Sequence, residues 1–305
     1  MAATPQHTTP LGIFNYGSLQ SMMVFFSVPV SVVRPLLAGT GLEPGVFDGH
    51  ALVNLNFERY ASFGSTYSSV VDEVEFNAVV FPKYKAGQEP VLSVAQYLSG
   101  FDQSKTYGNY RINVPCDSAV AVQAGSQKYG EVKFVASFNF AVPDVNDPTV
   151  STWWIRCYAT PAPPKTQLPY IFDLKVNTNA PGVPAPLVSS FSPVPAYANL
   201  AVNKKAHMVT SARVIYGVFK SWFNPEAAAP ITPLPAAAAT LTIGTAKHLM
   251  TQQLSGVFKG SPPAVGVLLF ESQPAASSGH TLLAMEVAQS GNAAGPTSKP
   301  TSTRR

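Results

Sequence analysis

The sequence predicts an α+β domain that is predominantly antiparallel β with a few short helices, and three observations lead there. Runs rich in Val, Phe, Tyr and Ile recur along the chain, 28 prolines break it between those runs, and helix signals are few. The strand-like runs are Val70 to Phe81, Ser118 to Gln123, Glu131 to Phe140, Ser151 to Thr160, Tyr170 to Val176, Val209 to Trp222, Gly266 to Phe270 and Thr281 to Val287. The prolines gather around Pro161 to Pro169, Pro181 to Pro195 and Pro225 to Pro235. Proline lacks an N–H and has a fixed φ, so these stretches read as extended surface crossings.

Two helices are predicted. Pro90 opens a segment whose apolar residues recur at three and four through Leu98 and which stops at Gly100. Thr242 to Leu254 carries Ile243, Ala246, Leu249 and Met250 at helical spacing and stops at Gly256. Gly39 to Gly45 has the wrong glycine spacing for a phosphate cradle and reads as a turn.

Only 12% of the 305 residues are charged, against about 25% in an ordinary soluble domain, while 46% are hydrophobic. Such a chain can bury a large core. We read residues 13–286 as one domain, 1–12 as a flexible N-terminal segment and 287–305 as a disordered Gly/Ala/Pro/Ser/Thr tail. The net charge of +4 comes from scarce carboxylates rather than from a Lys/Arg cluster, so no nucleic-acid partner is expected. The apolar run Met22 to Val33 contains Pro29 and is too short to span a bilayer, so no membrane partner is expected either. Cys116 and Cys157 lack CxxC or Cys/His spacing, which argues against a zinc site and for a reducing, cytoplasmic setting. Strands with few charges need their edges covered, which favours a homo-oligomer.

The serine-nucleophile elbow, the zinc-protease helix and the nucleotide-binding loop are missing from the sequence. What remains is Gly125-Ser126-Gln127-Lys128-Tyr129-Gly130-Glu131-Val132-Lys133-Phe134, which leads into an apolar run. With period two, Lys133 shares a face with Tyr129, Glu131, Val135, Ser137 and Asn139, opposite Val132, Phe134, Ala136, Phe138 and Phe140. That polar face either meets solvent, as in an amphipathic strand, or lines an internal cavity.

The motif resembles that of the acetoacetate decarboxylase-like proteins, Gly-Arg-Glu/Gln-x-x-Gly-x-Pro-Lys-Lys, whose first lysine forms a Schiff base with a keto substrate. Gly125, Gln127, Gly130 and Lys133 match it. Upstream, Ala51 to Ser69 resembles the family's strand, loop and Gly-x-Tyr-x-Glu corner, with Tyr67 matching and Ser65 in place of the glycine. With Pro115 to Ala121, the likeness covers roughly residues 20 to 145. It implies a closed β-barrel or cone with an internal pocket, and a lyase that acts on a keto acid or related carbonyl compound through a lysine imine, without cofactor or metal. Decarboxylation and aldol or dehydration chemistry share that imine. The alternative is a non-catalytic member that binds a small apolar carbonyl ligand.

The departures matter as much. The motif's second lysine, whose charge activates the first in acetoacetate decarboxylase, is Phe134 here; its arginine is Ser126 and its proline Val132. Two pocket glutamates fall on Asn54 and Ser69, and the substrate-binding arginine has no match near Leu19. With those groups gone, the substrate is expected to carry more apolar bulk than acetoacetate. Only the neutral amine attacks a carbonyl, and a free lysine at pH 7 is neutral in about one molecule in 2,500, so desolvation is expected to activate Lys133. The candidate catalytic residues are Lys133 and Glu131, and the candidate substrate contacts are Tyr67, Gln127, Asn54 and Ser69. Glu131 could equally pair with Lys128 or Lys133 at a surface, Tyr67 could fill the core, and Gln127 could bond backbone in a turn.

Overall fold

A computed structural model describes residues 13–62, 70–104, 106–143, 152–160, 169–191, 196–202, 205–211, 216–225, 231–260, 262–272, 275–278 and 282–286. In chain order the strands are β1 (Ile13–Val28), β2 (Leu42–Pro44), β3 (Val46–Phe47), β4 (His50–Ser62), β5 (Val70–Pro82), β6 (Gly108–Cys116), β7 (Lys133–Val135), β8 (Ser137–Ala141) and β9 (Trp153–Tyr158). They continue with β10 (Tyr170–Val176), β11 (Leu187–Phe191), β12 (Ala196–Val202), β13 (Lys205–Ser211), β14 (Tyr216–Phe223), β15 (Ala239–Ile243), β16 (Ala264–Ser272), β17 (Ala275–Ser278) and β18 (Leu282–Glu286). The α-helices are α1 (Val30–Val33), α2 (Val94–Leu98), α3 (Ala119–Tyr129) and α4 (Leu249–Val257).

The larger sheet runs β11-β14-β16-β1-β4-β5-β6-β12-β13-β18, with β17, β2, β3 and β7 paired beside this path; the smaller runs β15-β10-β9-β8. Among the described residues every pairing is antiparallel except those of β6 with β7 and with β12. The mixed, strand-rich class is as the sequence predicts. A closed barrel is not seen among the described residues, where the pairing path ends at β11 and β18.

The middle strands are buried on both faces, which explains continuous apolar stretches such as Met22 to Phe26 on β1 and Ala78 to Phe81 on β5. On one face Met22, Val24 and Phe26 of β1, Val53, Leu55 and Phe57 of β4, and Val74, Phe76 and Ala78 of β5 meet the smaller sheet and α4. Phe258, just after α4, packs edge-on against Phe26 at 5.0 Å. On the other face Met23, Phe25, Leu52, Val79 and Phe81 pack with Phe47, Tyr97 and Tyr107. At full burial each such side chain contributes about 1.5–3 kcal/mol. Farther along β4 and β5 that second face turns polar, and this is where the site lies.

Several elements differ from the sequence reading. Ser118 to Gln123 begins helix α3 rather than a strand: the Ser118 side chain accepts from Ala121 N, and Gly130 closes the helix at φ +64°. Glu131 to Phe140 is not one strand, because the chain changes sheets around Ala136, with β7 on β6 and β8 on β9. Thr242 to Leu254 divides into the end of β15 and the start of α4, whose N-cap is His248. The Pro90 segment does form a helix, starting at a Ser93–Gln96 capping box. The run Met22 to Val33 is the end of β1 plus α1, with Pro29 as N-cap. Among the described residues no helix is long and apolar enough to cross a membrane. Cys116 and Cys157 are both buried and unbridged. Segments 1–12 and 287–305 lie outside the described residues.

Candidate active site

The polar face grows out of two alternating strands, Asn54-Leu55-Asn56-Phe57-Glu58 on β4 and Glu73-Val74-Glu75-Phe76-Asn77 on β5. Their register sets Asn54 opposite Asn77, Asn56 opposite Glu75 and Glu58 opposite Glu73. Arg111 on β6 stands opposite Asn77. All seven side chains are buried. Most of their bonds are to one another: Asn56 Nδ2 donates to Glu58 Oε1 at 2.8 Å and Glu75 Oε2 at 3.1 Å, while Ser21 Oγ donates to Asn56 Oδ1 at 2.8 Å. Asn77 Nδ2 donates to Asn54 Oδ1 at 3.0 Å and Glu75 Oε2 at 3.2 Å, and Asn54 Nδ2 donates to Asn109 Oδ1 at 2.9 Å.

Lys133 and Glu131 enter this face from α3 and the segment after it. The left-handed Gly130 turns the chain out of the helix, and Lys133 at the start of β7 pairs in parallel with Val114 of β6. Gly125 lies against both side chains: a Cβ there would clash with Glu131 Oε2 and sit 2.8 Å from Lys133 Cδ. The helix can close over the pair only because that residue is glycine.

Lys133 Nζ donates to Glu73 Oε2 at 2.5 Å and lies 3.8 Å from Glu131 Oε2. Tyr60 OH donates to the same Glu73 oxygen at 3.1 Å. Arg111 joins the two halves, its Nε 2.5 Å from Glu75 Oε1 and its Nη1 paired with Glu131. The Lys133, Glu73, Glu131 and Arg111 side chains are each only 5–6% exposed. Burial alone would lower the Lys133 pKa, but Glu73 and Glu131 outweigh it and hold the ammonium above the ordinary lysine range. Cys116, across from Glu73 on β6, has its thiol pushed up to about 12 by burial and by Glu73. Oxygens of Glu58, Glu73 and Glu75 lie within 4.8 Å of one another, a hard-cation geometry. Lys133 and Arg111 already occupy the positive positions among them, so the donor set does not fit a resident metal.

Sequence reasoning placed Lys133 and Glu131 together, and they are together, though not as alternate residues of one strand: Tyr129 is helical and Val132 is 50% exposed. Asn54 is buried in the amide ladder, two residues along β4 from Asn56. Gln127 is exposed on α3; two residues beyond Gly125 is about 200° around the helix, so it points away from Lys133. Tyr67 and Ser69 lie outside the described residues. The site is not poor in carboxylates as expected, since Glu58, Glu73 and Glu75 come from strands whose alternation reads equally as a solvent face. Arg111 escaped notice because β6 did not stand out as a strand.

No protein-family model and no curated protein sequence matches the chain. Solved structures do. The enduracididine biosynthesis enzyme MppR, complexed with the condensation product of pyruvate and imidazole 4-carboxaldehyde, aligns with a TM-score of 0.57 at 12% identity over 92% of this chain and 98% of that one. An acetoacetate decarboxylase-like enzyme from Sphingomonas wittichii RW1 aligns at 0.53 and 12%, covering 92% and 99%. Acetoacetate decarboxylase from Legionella pneumophila subsp. pneumophila str. Philadelphia 1 aligns at 0.54 and 12%, covering 94% and 93%. The fold is therefore acetoacetate decarboxylase-like along nearly the whole chain.

Proposed function

We propose that the protein is an enzyme that forms an imine between Lys133 and the carbonyl carbon of a small molecule. The observation that carries this reading is the Lys133 ammonium, buried under α3 and hydrogen-bonded at 2.5 Å to a carboxylate able to take its proton. Glu73 accepts a proton from Nζ, and the neutral amine adds to the carbonyl carbon. The carbinolamine oxygen leaves as water, protonated from Glu73 or Glu131, and a cationic imine remains. It withdraws electrons from the adjacent carbon, so loss of carbon dioxide, loss of a proton and aldol-type bond making or breaking all become accessible. The acetoacetate decarboxylase-like fold supports this reading, as does a neighbour that was solved with pyruvate.

The second reading is a binding protein that retains the fold without the chemistry, and the elevated Lys133 pKa favours it. Borohydride trapping with a panel of ketones and keto acids, followed by mass mapping, separates the two. An enzyme of the proposed kind gives a reduced adduct on the Lys133 peptide that disappears in Lys133→Ala. No adduct, or one undiminished in that variant, overturns the proposal.

A further inference from the structure

Lys133 has Glu73 and Glu131 within ion-pair reach, yet the two carboxylates are not equivalent. Glu73 Oε2 accepts from Nζ at 2.5 Å, whereas Glu131 Oε2 stops at 3.8 Å, beyond hydrogen-bond distance. The difference traces to Arg111. Its Nη1 pairs with Glu131 Oε1, so that carboxylate spends one oxygen on the guanidinium and turns only the other towards the lysine. The guanidinium is itself anchored, because its Nε lies 2.5 Å from Glu75 Oε1 and its side chain is buried. Helix α3 bounds the same carboxylate: a Cβ on Gly125 would clash with Glu131 Oε2. The topology brings these partners level. Strands β6 and β7 run parallel with Val114 opposite Lys133, which sets Arg111 and Glu131 three and two residues upstream on neighbouring segments.

We infer that Arg111 is a positioning residue for imine formation: it holds Glu131 short of a hydrogen bond with Nζ, so that Lys133 surrenders its proton to Glu73 alone. The inference rests on the imine reading and extends it to a residue on a strand outside the motif. Without the guanidinium, the ionised and buried Glu131 would close on the ammonium. Two charge-assisted hydrogen bonds would then hold the proton that Nζ must lose before it attacks a carbonyl. A planar fork that grips two carboxylates at once suits this task better than a lysine. Arg111 thus acts on Lys133 through Glu131.

The test removes Arg111 with and without Glu131. Its other partner is neutralised throughout, so Glu75→Gln is the reference, and Arg111→Met/Glu75→Gln removes one charge of each sign relative to the wild type. The readout is the initial rate, at pH 7, of adduct formation on the Lys133 peptide with 2-butanone and cyanoborohydride. Loss of Arg111 should slow it about tenfold, as a lysine pKa higher by one would. With Glu131→Gln added to both proteins the slowing should fall below about threefold, since only like-charge repulsion between the two cations is then lost. Arg111→Gln, neutral but still a hydrogen-bond donor, is carried through the same comparison, and either substitution decides it. A general loosening of the core would slow both backgrounds alike. Equal slowing with and without Glu131, or none with it, overturns the inference and leaves the imine standing. Absence of a Lys133 adduct in the wild-type protein overturns both.

Discussion

Glu58 and Glu73 stand directly opposite each other on neighbouring antiparallel strands, and both are buried. Like charges in that position repel, so the pairing holds only because donors are set around it. Asn56 serves Glu58, while Lys133 and Tyr60 serve Glu73. The lysine taken as nucleophile is therefore also a structural counter-charge, and its two roles can be measured apart.

Lys133→Met leaves Glu73 buried without its cation, for which a loss of about 3–5 kcal/mol is expected in urea denaturation. The double variant Lys133→Met/Glu73→Gln should recover more than half of that loss. Because the folded-state lysine pKa is raised, its stabilisation is complete below the unfolded value of about 10.4 and fades only as pH rises through the folded value. A measurement at pH 7 thus reads the full effect. A single variant as stable as wild type would show that the ion pair is not stabilising.

Gly125 and Gly130 are both motif glycines, but they do different work. A methyl group at position 125 falls on Glu131 and Lys133, so Gly125→Ala must move the helix or the lysine. It should cost about 1–3 kcal/mol and reduce Lys133 trapping about tenfold. Gly130→Ala puts a side chain on left-handed backbone, φ +64°, and should cost about 1–2 kcal/mol with trapping largely kept. Equal trapping in the two variants would remove the special role of position 125.

The contrast shows which parts of the site could be read in the sequence. Gly125, Gly130, Glu131 and Lys133 lie within nine residues, so local spacing was enough to group them. Glu73 is 60 residues from Lys133 and joins it only through the pairing of β5 with β6 and of β6 with β7. Alternation along β4 and β5 shows which residues share a face. It does not show whether water or protein covers that face. Helix α3 had its signals in Ser118 and Gly130, but the Val120 and Val122 between them suit a strand as well. Closure of the sheet could not be read from the sequence, because it depends on which distant strands meet.

Asp72, on β5 beside Glu73, gives a pH dependence of its own. Burial raises its pKa from 3.8 to about 6, against the pull of Arg59. Between those values the folded protein keeps a proton that the unfolded chain releases, so stability should fall as pH rises from about 4 to 6. Asp117, raised by burial as well, acts in the same direction. Asp72→Asn should flatten the slope, by on the order of 1–2 kcal/mol after solvent screening. Denaturant midpoints at pH 4 and 6.5 check this, and an unchanged slope in the variant would assign the dependence elsewhere.

The charge state of Lys133 should appear directly in the pH profile of imine formation. With Glu73 and Glu131 holding its pKa above the ordinary range, the neutral fraction grows about tenfold per pH unit across neutrality and beyond. The rate with a carbonyl that carries no titrating group, such as 4-nitrobenzaldehyde, followed by absorbance, should climb from pH 7 to 10 without levelling off. Glu131→Gln removes one of the carboxylates that stabilise the ammonium, while Arg111 keeps Glu75. That variant should therefore react faster than wild type at pH 7 and level off at lower pH. A wild-type plateau near pH 7 would mean that desolvation wins over the carboxylates at Lys133, and that the lysine is activated before any substrate arrives.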